Sequence, residues 1–250
     1  MYRISFISEK DFEEHVLETL RAYNESLNSI SLEGFNSNII DPIKLLFDKS
    51  VYNKSFEEII ALELQRQRDK SNTNAIGYFH QNMFKYIQNC VVPERGWDVI
   101  YTKGKDKIYV EMKNKHNTMN SSSSQRTYMK MQHQILQTPK AKCFLVEVIA
   151  PTSRDIAWRC SVDGERLESQ NIRRVSIDNF YKIVTGQSNA FYQICMQLPE
   201  TITKLIKAGT LRTVEKDTVV EELHRKSPDI LKALYLLAFE RYEGFDKLAN

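Results

Sequence analysis

The 250-residue chain is predicted to be an α/β protein with a mixed central sheet flanked by helices and with helical additions at both ends. Three observations predict this class. Apolar residues recur at helical spacing from the N-terminus to about Asn89. After Pro93 the period drops to two. Cys143 to Ala150 (CFLVEVIA) is then a nearly unbroken apolar run, the pattern of a strand covered on both faces.

Taken in order, Glu9 to Ser26 places Phe12, Val16, Leu17, Leu20 and Tyr23 on one helical face, with Ser8 as N-cap. Asn36 to Asp48 breaks at Pro42 and restarts with Asp41 as cap. Ser55 opens a helix through Lys70, and Glu58 three residues on completes a capping box. A separate helix is expected over Asn74 to Asn89, with Ile76, Phe79, Met83, Phe84 and Ile87 on its buried stripe. Trp97, Val99 and Tyr101 alternate with Asp98 and Ile100, and Ile108, Val110 and Met112 alternate with Tyr109, Glu111 and Lys113, which reads as two strands. The polar run Ser121 to Ser124 reads as a flexible linker or a loop that orders on a ligand, followed by a helix from Gln125 to Gln137. Pro151 to Glu168 reads as irregular. Helices are expected around Leu198 to Ile206 and from Ile230 to Tyr242. There is no internal repeat.

Composition narrows the class further. Apolar residues make up 42% and charged residues 27%, with only 8 Gly and 6 Pro, as in an ordinary globular protein. The formal net charge of +3 neither demands nor excludes a nucleic-acid partner. Four dispersed cysteines, Cys90, Cys143, Cys160 and Cys195, form no CxxC pair, which argues against a zinc ribbon or a disulfide framework and for a reducing cytosol. No segment reads as a signal peptide or a membrane span, so a soluble intracellular protein with no membrane partner is expected.

The chemistry is expected on the hairpin. Gly104-Lys105 suits a two-residue turn, and a hairpin centred there pairs positions whose numbers sum to 209. Trp97 then opposes Met112, Val99 opposes Val110, and Tyr101 opposes Ile108. On the other face Asp98 opposes Glu111, with Lys113 two residues beyond. Carboxylates at directly opposed positions, with Cβ atoms about 4.5–5.5 Å apart, repel each other. A divalent cation relieves that repulsion. Mg²⁺ takes oxygen ligands, one or two of them carboxylates, and a lysine beside it can hold a water and offset charge at a breaking phosphodiester. The plainer alternative is that Glu111 and Lys113 are merely the solvent face of a half-exposed strand.

The run EMKNKHNTMNS (Glu111 to Ser121) resembles the signature of Type II restriction endonucleases that recognise GGNCC or GGWCC, the group containing SinI and AvaII. Further similar blocks are ISEKDF, NIIDPIKLLFD (Asn38 to Asp48), ELQRQRDKSNTNAIGYFHQ (Glu63 to Gln81) and IRRVSIDNFYKIVTG (Ile172 to Gly186). The resemblance implies a PD-(D/E)XK (restriction-endonuclease-like) core, Mg²⁺ dependence, double-stranded DNA as substrate, a homodimer, a cognate DNA methyltransferase and a prokaryotic cytoplasm. It makes Glu111 and Lys113 the acid and lysine of the motif. Asp98 is preferred as the first acid because Asp106 sits at the turn and faces another partner in the hairpin register. The similar blocks end by about residue 208, so an endonuclease domain is expected over residues 1–208, with 209–250 a helical extension packed on it. Glu63 is either a further catalytic carboxylate or a helix residue paired with Arg66 or Gln67. His80 is either a core histidine or a DNA contact. Guanine-rich sites call for bidentate cations. The candidates for DNA binding are Lys115, Arg126, Arg173 and Arg174, with Asn117 and Asn120 offering amides, while Arg66, Arg68 and Lys70 suit phosphates. Two other functions remain open: a repair or junction-resolving nuclease of the same fold, and a non-catalytic DNA-binding protein.

Overall fold

The structure, a computed structural model, describes residues 2–37, 39–138, 140–209 and 216–239. It divides into two compact units, Met1–Thr19 with Ala75–Thr210, and Leu20–Asn74 with Leu211–Asn250. Helix α1 (Glu9–Ser26) and helix α4 (Phe56–Asn82) each contribute residues to both units.

The second unit is helical. It contains α2 (Leu32–Asn36), α3 (Pro42–Tyr52), the first part of α4, α8 (Val219–Lys226) and α9 (Ile230–Phe239). Local chemistry sets the helix starts. Asp41 accepts from the amides of Ile43 and Lys44, at 3.0 and 3.1 Å. Ser55 and Glu58 close the expected reciprocal box, Ser55 N to Glu58 Oε2 at 2.9 Å and Glu58 N to Ser55 Oγ at 3.3 Å. Phe35, Ile60, Leu64, Leu223 and Leu234 meet in one buried cluster, so residues from both ends of the chain share this core. The part of the expected C-terminal helix beyond Phe239 lies outside the described residues.

The first unit is built on a six-stranded sheet in the order β1-β2-β3-β4-β6-β5. Its strands are β1 (Cys90–Val91), β2 (Val99–Lys103), β3 (Asp106–Lys115), β4 (Lys142–Ile149), β5 (Asp155–Val162) and β6 (Glu165–Ser176). The β3–β4 and β4–β6 pairs are parallel and the others antiparallel, the mixed α/β sheet that the sequence predicts. Helix α5 (Ser121–Gln137) connects β3 to β4 and covers one face, burying Tyr128 and Met131 against Cys143, Leu145 and Trp158. The other face packs on α6 (Ile177–Thr185), with α7 (Ala190–Lys207) following it. Here the Phe84 ring lies 4.9 Å from Phe180 and 4.8 Å from Tyr181. Among the described residues no helix is long and apolar enough to cross a membrane.

Four expectations need correcting. The two helices predicted over Ser55 to Lys70 and Asn74 to Asn89 are one 27-residue helix, α4, continued by a 3₁₀ turn at Met83–Tyr86. The Ser71-Asn72-Thr73-Asn74 stretch is a run of weak helix formers without Pro or Gly, and each costs only tenths of a kcal/mol. Ser121–Ser124 is the first turn of α5 and not a linker, because Asn120 caps it by accepting from Ser123 N at 2.8 Å. Pro151–Glu168 is not irregular: most of it forms β5 and the start of β6, turned by Asp163-Gly164, both at positive φ (51° and 87°). Trp97 does not pair with Met112. Strand β2 begins only at Val99, and the indole lies instead 5.5 Å from Tyr109 on the α5 face, with Nε1 donating to Gln134 at 3.3 Å.

Candidate active site

The hairpin register is the predicted one over its paired length: Val99 faces Val110, Tyr101 faces Ile108, and Lys103 faces Asp106. Gly104 takes φ +62° at the turn, which glycine adopts without strain. Asp106 is held at the turn end, opposite Lys103. Beyond Val110, β3 runs past the end of β2 while staying paired with β4, Glu111 beside Leu145 and Lys113 beside Glu147. Asp98 occupies the place where β2 would continue. Its amide donates to Val110 O at 3.0 Å, and its carboxylate oxygen Oδ2 accepts from Met112 N at 2.6 Å. Asp98 is therefore not a laddered partner of Glu111, as the register alone suggests. Its side chain replaces a backbone acceptor at the strand end, which fixes the carboxylate beside β3.

Glu111 and Lys113 follow on one side of β3. Lys113 Nζ contacts Glu111 Oε1 at 3.0 Å, and Lys130 Nζ, reaching over from α5, contacts Glu111 Oε2 at 2.8 Å. Lys130 also donates to the Gly96 carbonyl and sits 4.2 Å from the centre of the Trp97 ring. The two acids are shifted in opposite directions. Burial, with the nearby Glu111 charge, pushes the Asp98 carboxyl above its usual range despite the Met112 amide. Burial also works against the Glu111 charge, but Lys130 and Lys113 together outweigh it and hold that carboxyl below its usual range. Unlike environments for two neighbouring carboxyls are common at catalytic centres. Among the described residues no cluster of three or more His, Cys, Asp and Glu side chains could hold a metal.

Beside this pair lies a second charged cluster. Glu147 is 1% exposed and accepts from both Arg154 and Arg174, with Arg174 Nε at 3.0 Å. Arg174 also donates to His116 O at 3.2 Å, tying β6 to the residue that follows β3. The α4 residue Gly77 lies close to this strand, since a Cβ there would sit 3.7 Å from Asn114 Nδ2.

The profile of the Eco47II restriction endonuclease family matches residues 4–207. The chain belongs to that family. It is 32% identical over 220 residues to the Type II restriction enzyme Sau96I of Staphylococcus aureus, covering 83% of this chain and 84% of the relative. It is 28% identical over 217 residues to the Type II restriction enzyme Eco47II of Escherichia coli, covering 82% and 89%. The resemblance to Type II restriction endonucleases carried by Glu63 to Gln81 and Glu111 to Ser121 thus holds at family level, and the matched span includes every strand of the sheet.

The other candidate residues are scattered. Lys115, Asn117 and Arg126 are exposed on the end of β3, the turn after it and α5. Asn120 is exposed, with its side-chain oxygen engaged as the α5 cap. Arg173 is bound by Asp155 and Arg174 by Glu147. Glu63 belongs to the helical unit, where it is buried and accepts from Arg66 Nε at 2.7 Å and Gln67 Nε2 at 3.3 Å. Arg68 is held by Asp217 in the same unit, at 2.6 and 2.9 Å. Sequence reasoning missed Lys130 and Glu147. Lys130 carried no signal, being one cation on a polar helix face. Glu147 did carry one, as the lone charge inside CFLVEVIA.

Proposed function

We propose that this protein is a Type II site-specific deoxyribonuclease that cuts both strands of double-stranded DNA at a short palindromic GGNCC- or GGWCC-like site by Mg²⁺-assisted hydrolysis. The carrying observation is the Asp98–Glu111–Lys113 arrangement at the end of the β2–β3 ladder in a chain of this family. Two carboxylates with no thiolate or imidazole between them suit a hard, oxygen-seeking cation. Asp98 and Glu111 would hold it. Bound there, Mg²⁺ would supply Lewis-acid polarisation for a phosphodiester and a water. The Lys113 ammonium would orient a water and offset charge developing at phosphorus. Asp98, anchored on Met112 N, keeps its carboxylate fixed against β3 while it does so.

For reading the site, the exposed Lys115 and Arg126 are the favoured cations, with Asn117 beside them, since Arg173 and Arg174 are engaged by Asp155 and Glu147. A palindromic target implies a twofold homodimer, and a host that tolerates such an enzyme needs a methyltransferase of matching specificity. The test is to incubate the protein with plasmid DNA and Mg²⁺ and map the ends. Discrete fragments ending at GGNCC-like sites are expected. Structure-dependent nicking, or no cutting, would overturn the assignment. Glu111→Ala and Lys113→Ala should each abolish cutting and leave DNA binding largely intact, and full activity in either would remove the site.

A further inference from the structure

Both oxygens of Glu111 carry a cation. Lys113 takes Oε1 at 3.0 Å and Lys130 takes Oε2 at 2.8 Å. Lys113 belongs to the Glu-x-Lys pair on the strand itself. Lys130 arrives from another element and is anchored on three sides, by Glu111, by the Gly96 carbonyl and by the face of Trp97. Its side chain is 39% exposed against 18% for Glu111. Ion pairs this open contribute little to stability, so the anchoring needs another reason. The neighbouring acid supplies one. Asp98 is fixed beside the same stretch of β3, its carboxylate accepting from Met112 N at 2.6 Å, so Lys130 holds a Glu111 oxygen next to a second carboxylate.

We propose that Lys130 is a displaceable counter-ion. In the metal-free protein its ammonium occupies a Glu111 oxygen that a divalent cation needs, and it yields that oxygen when the cation binds, remaining held by Trp97 and Gly96. The inference rests on the reading of Asp98 and Glu111 as metal ligands. It makes Lys130 a positioning residue that acts through Glu111. Its consequence is a metal affinity held down in the absence of DNA, in a site that is never a bare pair of anions.

The test uses the whole protein without DNA and Mn²⁺ as probe, an octahedral cation with the same preference for oxygen ligands. Binding is read from the loss of the free Mn²⁺ signal in electron paramagnetic resonance. Lys130→Met and Lys130→Gln are expected to bind Mn²⁺ at least about threefold tighter than wild type, the scale set by a half-exposed ion pair. Mn²⁺ should also raise their melting temperatures by more than it raises that of wild type. Glu111→Gln should lose the site. If Glu111→Gln binds Mn²⁺ as wild type does, the acid pair is not the metal site and the inference falls with that reading. If Glu111→Gln loses binding while both Lys130 variants bind no tighter than wild type, Lys130 is only a structural anchor, and this inference alone is overturned. Failure of both Lys130 variants to fold would make the contact a core ion pair and would overturn it as well.

Discussion

Replacing Glu147 by alanine is expected to cost the sheet unit about 3 kcal/mol, a figure that follows from who its partners are. The carboxylate is 1% exposed, and two guanidinium groups donate to it: Arg154, 18% exposed, and Arg174, 27% exposed. Removing one side of a buried ion pair typically costs about 3–5 kcal/mol, because the other side keeps its desolvation penalty without compensation. Both arginines retain some access to water, which places the cost at the lower end. In a domain of this size each kcal/mol moves the melting temperature by about 2–4 °C, so a fall of roughly 6–12 °C is expected in a thermal scan. Glu147→Gln keeps an acceptor and loses the charge, and should fall between the variant and wild type. The reasoning is refuted if Glu147→Ala melts within about 2 °C of wild type. The arginines would then be satisfied elsewhere, and the link from Arg174 to the His116 carbonyl would not depend on this carboxylate.

Three further outcomes are expected. Asp98→Asn keeps an oxygen that can accept from Met112 N, so it should fold with a circular dichroism spectrum and melting temperature close to wild type while losing cleavage. A large loss of stability would show that the charge itself holds the strand end. Ca²⁺ in place of Mg²⁺ should support DNA binding in a gel-shift assay without efficient cutting, since its looser coordination positions water less well, and efficient Ca²⁺-driven cutting would count against the site. His80 is depressed from 6.5 to about 4 by burial, with His15 adding to the effect. A depressed histidine contributes stability that is complete above the ordinary value and lost as pH falls from 6.5 toward 4. The unfolding free energy from urea titration should therefore drop between pH 7 and pH 5, at up to roughly 1.4 kcal/mol per pH unit. His80→Gln should flatten that slope, and an unchanged slope would exclude His80 as its source.

The hairpin was the most legible part of the chain, because one turn at Gly104-Lys105 fixes every partner that follows, and Val99–Val110 and Tyr101–Ile108 pair as the pattern requires. The same logic failed one residue further out. Alternation cannot reveal where a ladder stops, and stopping at Val99 is what frees Trp97 to turn toward α5 and Asp98 to accept from Met112 N. The second hairpin does have a local signal, because Ile156, Trp158, Cys160 and Val162 alternate up to the Asp163-Gly164 turn. Within the candidate site, Asp98, Glu111 and Lys113 were readable because they lie close together in sequence. Lys130 was not, because its partner is set by the α5 crossover, and Glu147 stood out as the lone charge in its strand while its arginine partners are set by the tertiary fold.

The position of β3 within the strand order has a consequence for how this enzyme can change. Interior rows of a sheet give up their amide protons only when the surrounding body opens as a whole, and the segment carrying Glu111 and Lys113 is tied along β4 through seven paired positions from Ile108 to Lys115. The turn that follows, with Asn117 on its surface, is bound by no such ladder. Substitutions in the turn should therefore leave the amide protection of β3 unchanged, while one inside the paired stretch loosens the strand and its neighbour together.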